Sequence, residues 1–266
     1  MAAVLPEPTP RPSALRLPQR GRVVRRLRVR LADGARTTLY VATYDAARTE
    51  LSVAVLPGQQ RLEAYCAGRG VGDAIVGGFF VRPDGRPLGE VRTRGVEREH
   101  VPFLAPYDGV RACVHIEGGE ARIARRDTIA AAPRGDLLQA GPLLVRDGTV
   151  VFDRERDAEG FSAGSVQFDS DITAGRHPRA ALAIAPGRLL AVACDGRSRS
   201  EAGLALEELA AVLVRLGARE AINLDGGGST SLVVGGRLHN RPRATPSTPE
   251  PGGRPISTAL LFLPRA

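Results

Sequence analysis

Ten residues, Ala221-Ile222-Asn223-Leu224-Asp225-Gly226-Gly227-Gly228-Ser229-Thr230, constrain this chain more than any other stretch. Their apolar start reads as a buried strand. Three consecutive glycines would weaken a strand or a helix, so the backbone must follow a special path there. A glycine-rich turn leaves N–H groups unshielded and able to converge on an anion. Asp225 stands at the strand end beside that turn, where chemistry is often placed. The pattern describes a carboxylate next to an oxyanion or phosphate cradle formed by Gly226, Gly227 and Gly228 with the hydroxyls of Ser229 and Thr230. The plainer alternative is a tight turn with an Asp cap.

With 266 residues the chain can form one large domain or two small ones, and a 43% hydrophobic content supports an ordinary core. Aromatic residues are scarce and Trp is absent, so that core must be built from Val, Leu, Ile and Ala. The formal charge of +8 invites a nucleic-acid reading. Against it, every basic residue is Arg, and the arginines are interleaved with Asp and Glu. The one dense basic run, Arg20 to Arg30, carries Val24, Leu27, Val29 and Leu31 partly in alternation. That run reads as a strand with a basic solvent face, and nucleic acid is disfavoured as a partner. Cys66, Cys113 and Cys194 are far apart and form no metal or disulfide pattern, so reduced, buried thiols are expected. No apolar run approaches the ~18 residues of a membrane span. Residues 1–20 are Pro-rich and lack an apolar signal segment. They read as a disordered leader, and a cytoplasmic protein is expected.

Short strands dominate the remainder. Thr37–Tyr44, Leu51–Leu56, Ala74–Phe80, Val110–Ile116 and Ile256–Leu263 are β-rich. Hairpins are expected around Arg146-Asp147-Gly148, Pro186-Gly187 and Gly235-Gly236. A short helix is expected within Gln59–Ala67. The clearest helix is Leu204–Leu216, where Leu206, Leu209, Ala210, Leu213 and Leu216 recur at helical spacing and Gly217 suits the position just past the end. It leads directly into the Ala221 strand. Arg154–Arg176 and Arg241–Arg254 read as long loops, either binding loops or plain surface segments. The expected architecture is α+β: one β-rich domain over residues 21–266 with a mixed curved sheet and a few packed helices.

The ordered motifs resemble the phosphodiester glycosidase family. Asn223 to Ser229 looks like its glycine signature. Ala74 to Phe80 resembles its Asn-Gly-Gly-Phe-Phe segment, and Gln139-Ala140-Gly141-Pro142 its Gln-Ala-Gly-Pro segment. His177-Pro178-Arg179 before a hairpin ending Asp195-Gly196-Arg197, then Asn240 and Arg254, complete the series over roughly residues 35 to 264. Two positions depart from the pattern. Val76 stands where the family has Asn, and Ala180 follows Arg179 where a Thr is usual.

The resemblance implies hydrolysis of a sugar-1-phosphodiester at the anomeric carbon; the lack of an apolar signal segment fits a specialised intracellular pathway acting on such a diester or on another glycosyl phosphate. Such cleavage passes through an oxocarbenium-like state that carboxylates stabilise. Asp225 is the first candidate for that carboxylate and Asp195 the second. The leaving group is already an acidic phosphate, so binding its charge matters more than protonating it. Arg179 and Arg197 offer bidentate, charge-assisted bonds for this. Asn223, Gly77, Gly78, Asn240 and Arg254 are further substrate-binding candidates, and His177 reads as structural or catalytic. No cofactor is required. The His and Asp residues show no compact metal spacing, yet a divalent cation held by carboxylates from several loops stays open. Val76 motivates one alternative, a catalytically impaired sugar-phosphate-binding protein on the same fold.

Overall fold

The computed structural model describes residues 23–162 and 172–265. The Pro-rich leader and the middle of the Arg154–Arg176 loop lie outside these. Nineteen strands and three α-helices make the described chain more β than an α+β label conveys. The largest sheet has seven strands, in the order Val23–Arg30, Arg36–Asp45, Arg188–Cys194, Arg179–Ala185, Glu220–Asn223, Leu143–Arg146 and Thr149–Val150. Two five-stranded sheets and a small ribbon complete it. Every pairing between named strands is antiparallel, which corrects the expected mixed sheet.

Local chemistry explains these elements. Asp147 and Gly148 both adopt left-handed backbone (φ 51° and 77°), the geometry a two-residue hairpin turn demands. Arg188–Cys194 and Glu220–Asn223 flank Arg179–Ala185 and both run antiparallel to it, so they are parallel to each other. Joining parallel strands requires a crossover. The helix Leu206–Arg215 supplies it, within the expected Leu204–Leu216 span. Leu206, Leu209, Ala210 and Leu213 share its buried face, packed with Leu39, Val41 and Val192 of the seven-stranded sheet. The opposite face of that sheet buries Tyr40, Leu182 and Ile222 against Val53, Ile75 and Leu260 of the second sheet. Covered on both faces, its central strands read as nearly continuous Ala, Leu and Val rather than in alternation. Gln59 and Gln60 continue the strand Thr49–Gln60, which leaves Leu62–Arg69 as the short helix expected nearby. The three cysteines are buried and free. No helix of the described residues is long and apolar enough to cross a membrane.

Candidate active site

Three neighbouring strands deliver side chains to one end of the large sheet. Glu220–Asn223 ends beside Asp225, Arg179–Ala185 begins at Pro178-Arg179, and Arg188–Cys194 runs out towards Arg197. A cleft of about 720 Å³ opens there. Its lining takes in Phe79–Arg82, His177–Arg179, Arg197, Asn223–Gly228, Ala244-Thr245 and Arg254. The Arg241–Arg254 segment, expected as a loop, folds over the glycines as a ribbon of Arg243–Thr245 and Thr248–Pro249.

Asp225 is the one acidic side chain in the described lining. Its amide donates to the Gly77 carbonyl (3.0 Å), and its carboxylate accepts the Gly226 N–H (2.8 Å). The surrounding protein pushes its pKa up to about 6, because desolvation outweighs the help of the Gly226 N–H, Arg254 and Arg82. The Ser229 hydroxyl also favours the charged form from close by, although it stops short of hydrogen-bond geometry. Asp225 still meets solvent through the cleft, so it remains ionised at neutral pH.

The glycines act differently from the expected nest of three N–H groups. Gly226 spends its N–H on Asp225, and Gly227 donates to the Pro178 carbonyl (2.9 Å). Of the three glycine N–H groups, only that of Gly228 has no acceptor among the described residues. The steric account is sharper. A Cβ on Gly227 would lie 2.9 Å from a terminal nitrogen of Arg197, and one on Gly228 would lie 3.0 Å from a terminal nitrogen of Arg254. The missing side chains let two guanidinium groups lie against the backbone beside Asp225. A Cβ on Gly226 would instead meet the Pro178 carbonyl at 2.8 Å, a backbone approach with no flexible partner.

The arginines divide by what already holds them. Arg254 makes no side-chain hydrogen bond to protein among the described residues, while its amide is fixed to the Gly228 carbonyl (2.8 Å). Its charge is therefore available to a ligand. Arg197 is braced by the carbonyls of Arg243 and Ala244 and donates to His177 Nδ1 (3.3 Å). Burial and the nearby Arg254 pull its pKa down, yet it stays cationic. A donating guanidinium makes His177 Nδ1 an acceptor, so the neutral ring carries its proton on Nε2. Arg179 lines the cleft, but its guanidinium donates to the carbonyls of Ile172, Gly175 and Leu204. It anchors the loop before His177 more than it offers a free fork to phosphate. Arg82 is a lining cation whose field reaches Asp225. No motif in the sequence singled it out.

Several expected site residues lie elsewhere. Asp195 is buried away from the cleft lining, accepting the Arg241 N–H (2.6 Å) and the Tyr40 hydroxyl (3.3 Å). Burial raises its pKa. Its carboxylate pins the start of the Arg241–Arg254 segment. Asn240 likewise joins Leu232 N–H to the Thr230 carbonyl. Gly77 and Gly78 are packing glycines: a Cβ would meet Thr258 Oγ1 at 2.4 Å and the Gln139 carbonyl at 3.0 Å respectively. Ser229 and Thr230 are buried and absent from the lining. Asn223 does line the cleft; its amide donates to the Gly141 carbonyl (2.9 Å), and its buried Oδ1 has no protein partner. Val76 is wholly buried in the inter-sheet core and pairs with Ala259, so its side chain is no lost site group. No group of three or more His, Cys, Asp or Glu able to hold a metal gathers among the described residues.

The decisive comparison is with protein families: the phosphodiester glycosidase model matches residues 70–263. This chain belongs to the phosphodiester glycosidase family. Solved structures agree at the level of fold. The catalytic domain of zebrafish N-acetylglucosamine-1-phosphodiester alpha-N-acetylglucosaminidase, auto-inhibited by its pro-peptide, is similar with a TM-score of 0.69 at 19% identity over 92% of this chain and 83% of that one. A hypothetical protein from Synechocystis gives 0.63 at 20% identity over 92% of this chain; the match spans 62% of that protein's length. A putative exported protein from Burkholderia pseudomallei gives 0.62 at 19% over 87% and 74%. No curated protein matches. Residues Asn223 to Gly228 of the glycine signature line the cleft, Asp225 among them.

Proposed function

We propose that this protein is a hydrolase that cleaves the glycosidic bond of a sugar-1-phosphodiester. One observation carries the reading: Asp225 lies on the cleft floor with the guanidinium groups of Arg197 and Arg254 packed on the adjacent glycines. Arg254 and the Gly228 N–H receive the phosphate oxygens, and Arg197 adds charge from its braced position. Asp225 then faces the anomeric carbon, where a carboxylate stabilises the developing cation or activates water. Glycosidases of two-carboxylate design use the second acid to protonate the leaving oxygen. The leaving group is a phosphate monoester, a stable anion whose charge the guanidinium groups offset, so a single carboxylate beside two cations suits this bond. Asp195 holds the ribbon over the site and so acts through position. The test is turnover of 4-nitrophenyl phosphodiesters of common sugars by wild type and Asp225→Asn, following free sugar. Sugar release that disappears in the variant supports the reading. Equal release by both proteins, or none from any diester, counts against it.

A further inference from the structure

We infer that His177 is a positioning residue: its neutral ring holds the Arg197 guanidinium at the phosphate seat and leaves that group its full charge. This rests on the proposed seating of phosphate beside Arg197 and Arg254. His177 and both arginines line the cleft. Arg197 turns one edge of its guanidinium to the ring, with Nε 3.3 Å and Nη2 3.2 Å from His177 Nδ1. Nη1 donates to the carbonyls of Arg243 and Ala244 on the ribbon. Ring on one side and ribbon on the other fix the plane of the group. Such bracing is needed because Arg254 is close enough to repel Arg197, and two like charges left mobile move apart. A carboxylate would also orient a guanidinium, but it would cancel the charge the ligand meets. An imidazole nitrogen accepts the same hydrogen bond and carries no charge.

The backbone around both residues is built for this contact. The His177 N–H donates to the Leu204 carbonyl (3.2 Å), and the Leu204 N–H donates back to the His177 carbonyl (3.0 Å). A Cβ on Gly203 would come within 2.5 Å of the His177 carbonyl oxygen, and one on Gly196 within 3.0 Å of its carbonyl carbon. Glycine at both places lets these segments close on residue 177, so the ring stands on a fixed backbone. Arg197 itself adopts left-handed backbone (φ 55°), uncommon for a residue with a side chain and often kept where function demands it. The same contact removes His177 as a general base. Nδ1 is taken by Arg197 and Nε2 carries the ring's one proton, so the neutral ring has no lone pair left for a water molecule. Its effect on the reaction therefore passes through Arg197.

The experiment titrates inorganic phosphate calorimetrically into wild type, His177→Asn, His177→Leu, Arg197→Met and the double variant His177→Leu/Arg197→Met. Asn and Leu have nearly the same shape, and only Asn places an acceptor where Nδ1 stands. His177→Leu should weaken binding about tenfold, the scale of one hydrogen bond to a charged group, and His177→Asn should restore most of it. Once Arg197 is Met, His177→Leu should change Kd by less than about twofold, because the partner it acts through is gone. Equal loss from Asn and Leu, equal loss with and without Arg197, or no binding of phosphate by wild type overturns the inference. If His177→Leu does not fold, His177→Gln takes its place: its amide reaches the position of Nε2, so it should bind as weakly, and binding as tight as that of His177→Asn overturns the inference. Phosphate binding in the expected pattern without turnover of any diester leaves the inference standing while the catalytic reading fails. Where the 4-nitrophenyl diesters are cleaved, the pH profile of kcat/KM should keep its shape in His177→Asn; loss of a limb would make His177 a proton-transfer group and overturn the inference.

Discussion

Replacing Asp225 by Asn should make the protein more stable at neutral pH. Asp225 is held at about 6 in the folded chain, against about 3.9 for an Asp in an unfolded one. The folded state therefore favours the protonated carboxyl. Stability from that preference is fully present below pH 4 and is lost as pH rises through 6. Above pH 7 the wild type carries an ionised group its surroundings disfavour, and a pKa difference of about 2 corresponds to about 3 kcal/mol. Solvent reaches the cleft floor, and Asn keeps an acceptor for the Gly226 N–H. These two facts set the expected gain at about 1–2 kcal/mol, or a Tm rise of about 2–8 °C for a domain of this size. Paired thermal melts of wild type and Asp225→Asn between pH 4 and 8 read it directly. The difference should be largest at pH 8 and vanish near pH 4. Equal melting at pH 8, or a variant that gains only in acid, would refute the reasoning. The gain would be a stability–activity trade-off, the signature of a carboxylate kept for chemistry.

Other outcomes follow from the same geometry. The pH profile of kcat/KM should fall away on the acid side with a midpoint of about 6, the value set by Asp225; a limb near 4 would point to a different group. Asp195→Ala leaves the buried Arg241 N–H and Tyr40 hydroxyl without an acceptor and should cost about 2–4 kcal/mol in urea unfolding. Turnover by the remaining folded Asp195→Ala protein should persist; a fully stable but inactive variant would restore Asp195 to the chemistry. Val76→Asn places an amide in the inter-sheet core and should destabilise by at least about 2 kcal/mol without raising activity; a stable, more active variant would contradict its core placement.

Features coded within a few residues were legible in the sequence. The Leu206–Arg215 helix follows from its leucine spacing, the Asp147-Gly148 hairpin from its turn residues, and the buried Glu220–Asn223 strand from its apolar run. The glycine signature pointed to the cleft floor for the same reason. Features that depend on distant partners were not legible. Asp195-Gly196 looks like a turn, and only the fold brings Arg241 and Tyr40 to its carboxylate. Gly77 and Gly78 look like a binding turn, whereas the distant Thr258 leaves no room for a side chain at Gly77 and the Gln139 carbonyl crowds one at Gly78. The sheet built from Val91–Thr93, Asp136–Gln139 and Ala112–Glu117 rests partly on strands of three or four residues, too short to show a period. Arg179 had the right charge for phosphate, but three backbone carbonyls claim its guanidinium.

The most direct test of Asp225 acting at an anomeric carbon is hydrolysis of a glycosyl phosphodiester in ¹⁸O-labelled water. Attack at carbon puts the label in the released sugar and leaves the phosphate monoester unlabelled, and Asp225→Asn should abolish it. Label in the phosphate would mean the P–O bond breaks, and would contradict the glycosidase reading outright.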